Sequence, residues 1–300
     1  MTCLASAVYQ ETEPLDKYIL TIDCPEKIGI VRSVSNFFYE QGFTVIEASE
    51  FADLDGKKFF ARWEFAHGME GQSMPEVGQV GKLFAPIARE FQMNWKLKDA
   101  KVKPRVLLAV SKLGHCLNDL LYRWKEEDFP CEIVGVVSNH EDFRAKVEWY
   151  GLPYYYLPVT RDNKHQQEQE MLRIMEELQV DLLVLARYMQ ILSDEMCQKL
   201  EGRAINIHHS FLPSFKGARP YHQAVARGVK ITGATAHYVT CDLDEGPIIE
   251  QDVQRVEHSY SAEMLARLGK NIETIVLARA VHWHCQQRII IDGNRTIILR

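Results

Sequence analysis

The sequence predicts an α/β protein built from two consecutive domains. Its 300 residues are more than a single core usually organises. The spacing of apolar residues also changes near residue 105, from a β-α-β-β-α-β order to a regular alternation of strands and helices. We therefore divide the chain into domains at 15–98 and 105–300, joined by a polar, proline-ending linker at 99–104.

The first domain shows the order of a ferredoxin-like split βαβ unit. Val34, Phe37 and Phe38 follow helical spacing, and the turn at 53–56 separates two strand-like runs. The predicted strands are 18–23, 43–52, 58–65 and 92–98, and the predicted helices are 31–41 and 75–91.

The second domain shows the alternation of a doubly wound, mostly parallel, Rossmann-like sheet. Its run from Leu182 to Leu185 is continuously apolar, as a strand covered on both faces requires. Strands are predicted at 106–110, 131–137, 154–158, 180–186, 232–239 and 248–256, with a further one ending at 208. Helices are predicted at 116–125, 141–150, 164–179, 220–227 and 261–284, followed by a terminal hairpin at 288–299.

Composition narrows the class of partner. A net charge of −6 and a pI of about 6.0 argue against a nucleic-acid surface. No apolar run is long enough for a bilayer, and the first residues lack the pattern of a signal peptide, so no membrane partner is predicted. The seven cysteines are widely spaced without a C-x-x-C pair, which favours a reducing cytoplasm over a disulfide framework.

Polar residues gather at the end of the strand that leads to residue 208. Asn206 and His208 have the same parity and point to one face, where ligands of such sheets bind. An amide donor and an imidazole together are suited to hold a carbonyl oxygen that gains negative charge. Taken alone, each residue has a simpler explanation: its side chain only forms hydrogen bonds with backbone groups at the end of the strand.

A second polar segment follows. His237 lies on the next predicted strand, and the turn after it carries Asp244 before Gly246-Pro247. A carboxylate in such a turn can act as a base or orient a histidine and its water. An ordinary acidic surface turn would have the same composition.

Taken in order, these motifs resemble the family of formyltransferases that use 10-formyltetrahydrofolate. The run N-I-H-x-S-x-L-P-S-F at 206–215, followed by H-Y-V and L-D-E-G-P-I-I, carries the resemblance, which spans roughly residues 105–300. It implies that Asn206, His208 and Asp244 are catalytic and that His237 organises them. It also implies that a loop wraps the pterin ring of the folate; this loop comprises Arg187, Tyr188, Met189, Gln190, Ile191 and Leu192. No metal and no bound cofactor are implied, with 10-formyltetrahydrofolate as substrate.

The acceptor of the formyl group is the open question within this family. The loop at 110–120 holds one glycine, so a backbone cradle for a substrate phosphate is not predicted. The doubled His208-His209 and the segment at 217–222 resemble the branch that passes the formyl group to water. That branch yields formate and tetrahydrofolate, balances one-carbon pools and supplies formate for purine synthesis.

Two other interpretations stay open: a glycinamide ribonucleotide formyltransferase-like enzyme, and a catalytically inert, amino-acid-sensing regulatory protein. Lys216 and Arg219 either meet the glutamate tail of the folate or only solvate a loop. Cys116 is not predicted to be a nucleophile, since its sequence neighbours supply only His115.

The first domain resembles an ACT domain, a small regulatory module that typically binds amino acids. The segment 23–31 carries the resemblance, and Gly29 lets a ligand approach the backbone closely. The resemblance implies a ligand site at Asp23, Gly29 and Ile30, with methionine or glycine as effector, and a homo-oligomer. A module that only dimerises is the alternative.

Overall fold

The computed structural model describes residues 16–68, 73–213 and 220–300. The chain forms two compact units, the first ending at Val102 and the second beginning at Lys103. Lys216 and Arg219 lie outside the described residues.

The first unit is a four-stranded antiparallel sheet with two helices, in the strand order β2-β3-β1-β4. Its elements are β1 (Lys17–Pro25), α1 (Ile30–Glu40), β2 (Phe43–Asp53), β3 (Lys58–His67), α2 (Val77–Glu90) and β4 (Asn94–Asp99). The predicted ferredoxin-like order is confirmed.

Aromatic packing supplies the core of this unit. Phe37 of α1 meets Phe84 of α2 with ring centroids 5.3 Å apart, and Phe65 of β3 is fully buried beneath them. Arg62 is also buried, with its guanidinium 2.9 Å from Glu47 and 3.3 Å from Glu64. The charge is tolerated there because it is paired on both sides.

The second unit contains a seven-stranded sheet in the order β11-β10-β9-β8-β5-β6-β7. Its strands are β5 (Arg105–Val110), β6 (Glu132–Ser138), β7 (Tyr154–Tyr156), β8 (Leu182–Leu185), β9 (Ala204–His208), β10 (Ile231–Tyr238) and β11 (Ile248–Arg255), followed by a separate hairpin of β12 (Ile289–Asp292) and β13 (Arg295–Ile298). Its helices are α3 (His115–Lys125), α4 (Arg144–Trp149), α5 (Lys164–Glu177), α6 (Asp194–Lys199), α7 (Pro220–Arg227) and α8 (Ala262–Cys285). The strands from β9 to β7 are parallel, and β10 and β11 join antiparallel. The predicted doubly wound, mostly parallel sheet is confirmed.

The order of strands places a crevice between β5 and β8. The chain runs outward from β5 to β7, then returns to add β8 on the other side of β5. Ligands of such sheets bind beyond the carboxyl ends of the strands at this point of reversal. Here the Ser111 amide donates to the Arg187 carbonyl at 3.1 Å, which joins the loops that leave the two strands.

Two local predictions were wrong. The helix predicted for 141–150 begins only at Arg144, and helix α6 was not predicted. Helix α6 begins where the Ser193 hydroxyl accepts a hydrogen bond from the Met196 amide at 3.3 Å, while Glu168 of α5 accepts one from the Ser193 amide at 2.9 Å. A long-range contact therefore supports a helix of six residues that is too short to be stable by itself.

No helix within the described ranges is both long and apolar enough to span a bilayer. The predicted terminal hairpin is confirmed as β12 and β13, which turn at Gly293 with a positive φ of 60°.

Packing of α3 against the sheet gives a first prediction. Leu121 is fully buried and its neighbour Tyr122 is 58% exposed. Leu121→Ala should lower the free energy of unfolding by about 2–5 kcal/mol, since it removes buried methyl groups and leaves a cavity. Tyr122→Ala is the matched control and should change it by about 0.5 kcal/mol or less. Urea unfolding followed by circular dichroism measures both, and equal losses would contradict this placement of α3.

Candidate active site

Two neighbouring strands bring the predicted polar residues together. In the antiparallel pairing of β9 with β10, Asn206 lies directly opposite His237, and His208 lies opposite Thr235. His208 and His237 are 7% and 2% exposed, and Asn206 is half-buried. The register of one strand pair therefore sets the spacing of three of the four predicted site residues.

The fourth residue, Asp244, is delivered by the turn between β10 and β11. Asp244 has a φ of 57°, a left-handed conformation that is uncommon outside glycine. The turn is held closely, because the Tyr238 amide donates to the Pro247 carbonyl at 2.9 Å. A Cβ placed on Gly246 would lie 1.8 Å from the Tyr238 carbonyl oxygen, so only glycine allows this approach.

Asp244 faces both imidazole rings. Its Oδ2 lies 3.3 Å from Nδ1 of His208, and its Oδ1 lies 3.7 Å from Nε2 of His237. Burial by itself would raise the pKa of Asp244, but its interactions with His208 first, and then with His237, hold the pKa well below its ordinary value. Asp244 is thus an ionised carboxylate between two rings.

The surroundings of His237 determine which of its nitrogens carries the proton. Its Nδ1 lies 2.9 Å from the Tyr238 carbonyl, which only accepts, so Nδ1 donates. In the neutral ring Nε2 is then an acceptor, and it lies 3.2 Å from Nδ2 of Asn206. This contact orients the Asn206 amide and leaves its second N–H for a ligand.

His208 presents a polar atom without a partner. Its Nδ1 faces Asp244, whereas Nε2 is buried and finds no hydrogen-bond partner among the described residues. Buried polar atoms rarely lack a hydrogen-bond partner. His208 lines a cavity, and a water or hydroxyl group bound there would donate a hydrogen bond to Nε2.

These side chains line one cavity of about 280 Å³. One wall is the loop 187–192 and the other is the turn 239–244. All six residues predicted to wrap a pterin ring lie on the first wall: Arg187, Tyr188, Met189, Gln190, Ile191 and Leu192. Met189 and Ile191 are exposed at 57% and 61%, whereas Tyr188 and Leu192 pack into the core behind them.

On the other side of the crevice, side chains fill the loop that follows β5. The Ser111 hydroxyl donates to Asn139 at 2.7 Å and accepts from the Met189 amide at 2.9 Å. A Cβ placed on Gly114 would lie 2.4 Å from the ring of Phe143, so this ring covers the backbone at that point. A phosphate cradle needs a run of exposed backbone N–H groups, and here Ser111 is buried and the ring of Phe143 covers Gly114.

A buried charge network that the sequence did not suggest lies beside this loop. Glu273 of α8 is 2% exposed, and its Oε2 lies 2.7 Å from Nε2 of His115 and 3.5 Å from Nε of Arg187. Cys116 is therefore not flanked by His115 alone, as its sequence neighbours suggested. A signal for this network was present in the sequence. Glu273 shares a helix face with Val276 and Ala280, where an apolar residue is the rule.

His115, Cys116 and Glu273 place three potential ligand atoms within 4.8 Å of one another. Burial, together with Glu273, raises the pKa of the Cys116 thiol well above its ordinary value, so it is protonated and a poor ligand. The Arg187 guanidinium beside Glu273 also opposes a cation. The group is better described as an ion-pair network.

The predicted effector residues lie on the first unit. Asp23 lies two residues before the end of β1 and accepts a hydrogen bond from Asn94 at 2.9 Å, and Gly29 precedes α1 with a φ of 101°. Ile30 is 2% exposed, so its side chain belongs to the core and only its backbone can meet a ligand.

The fold and the site define a class: an α/β enzyme that holds a carbonyl compound at the crevice of a doubly wound sheet. A sequence profile described as formyl transferase matches residues 104–281. The chain belongs to the formyl transferase family, in the branch of the formyltetrahydrofolate deformylases, whose members cited next match almost its full length.

A formyltetrahydrofolate deformylase from Corynebacterium sp. is 46% identical over 285 residues, covering 95% of this chain and 98% of the relative. The crystal structure of a formyltetrahydrofolate deformylase from Pseudomonas syringae superposes with a TM-score of 0.92 at 44% identity, covering 97% of this chain and 96% of the other. Glycinamide ribonucleotide transformylase 1 from Symbiobacterium toebii has a TM-score of 0.62 at 28% identity, covering 66% of this chain and 95% of the other. The resemblance inferred from the ordered motifs is confirmed, and the roles of single residues stay predictions.

His209 gives a prediction about pH. It lines the cavity beside His208, with ring centroids 5.1 Å apart. Burial, then the charges of Arg187 and His208, lower its pKa from 6.5 to about 4. The unfolded chain therefore takes up this proton at higher pH than the folded chain.

Stability should consequently fall as the pH drops from 6.5 to about 4, and His209→Gln should remove that part of the pH dependence. Urea unfolding at a series of pH values measures the difference between the two proteins. Parallel curves for wild type and variant over this interval would contradict the shift.

Proposed function

We propose that this protein hydrolyses 10-formyltetrahydrofolate to formate and tetrahydrofolate. The observation that carries the choice of water as acceptor is the covering of the loop after β5 at Ser111 and Gly114. Phe143 covers Gly114, and Ser111 is bonded to Asn139, so a phosphorylated amine lacks its cradle. The names of the relatives that match almost the full chain support the same reaction.

In the proposed mechanism the formyl oxygen accepts a hydrogen bond from Nδ2 of Asn206. His208 keeps its Nδ1 proton toward Asp244, so Nε2 has a lone pair that takes a proton from the attacking water. The resulting imidazolium stabilises the tetrahedral intermediate and then passes its proton to N10 as the C–N bond breaks. The ionised Asp244 orients His208 and stabilises its charged form, as the acid of a catalytic triad does.

A second candidate is transfer of the formyl group to glycinamide ribonucleotide. The likeness to solved glycinamide ribonucleotide transformylases favours it, since they share the fold of about two thirds of this chain. A third, an inert amino-acid sensor, would keep the fold without turnover.

One assay separates the three. Purified protein is incubated with 10-formyltetrahydrofolate, with and without glycinamide ribonucleotide. Formate release without the amine supports hydrolysis, dependence on the amine supports transfer, and no turnover in either case supports the sensor.

The first unit is proposed to be an ACT regulatory domain that binds methionine or glycine near Asp23, Gly29 and the backbone of Ile30. Both amino acids report on one-carbon supply, and the formate released would serve purine synthesis.

We also propose a cytoplasmic homo-oligomer. No disulfide joins the cysteines within the described ranges, which suits a reducing compartment.

The catalytic assignment gives a mutational prediction. Asn206→Ala, His208→Ala and Asp244→Asn should each lower kcat by about 100- to 1,000-fold, because each removes a donor or the partner that orients it. Glu245→Gln, an exposed neighbour outside the cavity, is the control and should retain wild-type turnover. Thermal unfolding shows whether the variants are folded. Near-wild-type turnover of folded Asp244→Asn would remove Asp244 from the mechanism.

The proposed regulatory role of the first unit gives a further testable prediction. Methionine or glycine should change the hydrolysis rate of the wild type, and Asp23→Ala should reduce that response while Asp55→Ala, in the exposed hairpin turn, keeps it. A wild type that responds to neither amino acid, yet associates in sedimentation velocity, would identify the unit as a dimerisation module.

A further inference from the structure

A formyl transfer to water differs from a transfer to an amine in the charge of its product. An amine acceptor gives a neutral formamide, whereas water gives formate, an anion. Asp244 is already ionised in this cavity. A cation in the cavity would stabilise the carboxylate as it forms.

Arg187 is a cation on the wall of this cavity. Of the cavity-lining residues that the structure describes, it is the single lysine or arginine. The residue is 7% exposed, so its charge is little screened by water. Its Nε is buried and makes no hydrogen bond to any described residue.

Glu273 is placed beside the guanidinium, and a hydrogen bond fixes the backbone of Arg187. Glu273 lies 3.5 Å from Nε, a distance that balances charge without making a hydrogen bond. On the backbone side the Arg187 carbonyl accepts from the Ser111 amide at 3.1 Å, and the residue adopts a left-handed φ of 66°. An arginine in this costly conformation is retained where the surroundings determine it and the site uses it.

Glu273 is in turn fixed as an anion. Burial favours its neutral form, but the hydrogen bond from His115 and the charges of Arg187 and His115 lower its pKa below the ordinary value. His115 therefore stabilises the acid that positions Arg187. The His115–Glu273–Arg187 series links α3 and α8 to the wall of the cavity.

We propose that the Arg187 side chain, positioned by Glu273, binds the carboxylate of the formate product at the acceptor side of the cavity. The planar N–H fork of arginine matches the two oxygens of a carboxylate. This role is distinct from the backbone contacts to the pterin ring that the loop 187–192 is expected to make. It rests on the proposed hydrolysis, because only that reaction forms an anion here.

The chemistry balances without a further reactant. Water forms the new C–O bond and gives up a proton, the C–N10 bond breaks, and N10 takes a proton. Formic acid then gives its remaining proton to water and leaves as formate. Arg187 binds only the formate anion, the last species formed. The loss of Arg187 should therefore weaken product binding more than folate binding.

The test compares wild type with Arg187→Met, which removes the charge and keeps much of the length. Arg173→Met on the exposed face of α5 is the matched control. Binding of ¹³C-formate to each protein is followed by NMR line broadening, and sodium formate is tested as an inhibitor of hydrolysis against sodium chloride at equal ionic strength.

Wild type and Arg173→Met should bind formate, and Arg187→Met should bind it at least about tenfold more weakly, since a charge-assisted hydrogen bond is lost. The KM for 10-formyltetrahydrofolate should change much less. Glu273→Gln should also weaken formate binding, by releasing the guanidinium from its position. Equal formate binding by wild type and Arg187→Met, or competition by chloride as strong as that by formate, would overturn the proposal.

If Arg187→Met does not fold, Arg187→Lys tests the same point. It keeps the charge and loses the fork, and formate binding between that of wild type and none is expected. Unchanged binding contradicts the need for an arginine. Because the binding measurement needs no turnover, a wild type that binds formate and releases none from the substrate would refute the proposed hydrolysis separately.

Discussion

The antiparallel pairing of β10 with β9 is the constraint on which the candidate site depends. It places His237 opposite Asn206 and sends the chain back across the strand ends, so that the following turn carries Asp244 to His208. A shift of one residue in this register would turn Asn206 and His208 to the other face of the sheet. The otherwise parallel sheet thus gains the geometry of its candidate site from the strand that runs the opposite way.

The cavity also depends on how its charges are compensated. On one side the Asp244 carboxylate lies between two imidazole rings. On the other, the Arg187 guanidinium lies next to the buried Glu273. Each buried charge has an opposite or polar neighbour, which is the condition under which a protein tolerates it. Neutral His209 lies near both groups and adds no further positive charge at neutral pH.

Much of the architecture could be predicted from the sequence, because periodicity in single segments reports which side chains are buried. The apolar run at Leu182–Leu185 became a central strand, and the spacing of Val34, Phe37 and Phe38 became the buried face of α1. The short helix α6 could not be predicted, since it begins with a contact from Glu168 on a different helix. Residues far apart in sequence decided that local structure.

The chemical groups of the candidate site and their order can be read from the chain alone: an amide at 206, imidazoles at 208 and 237, and a carboxylate at 244. Their order was sufficient for the family, because motif order is a property of the chain. The tertiary structure alone decided the distances among them, the nitrogen of His237 that carries the proton, and the pairing of Glu273 with His115 and Arg187. These depend on strand register and on packing between α8 and the sheet, which bring together residues that no local pattern relates.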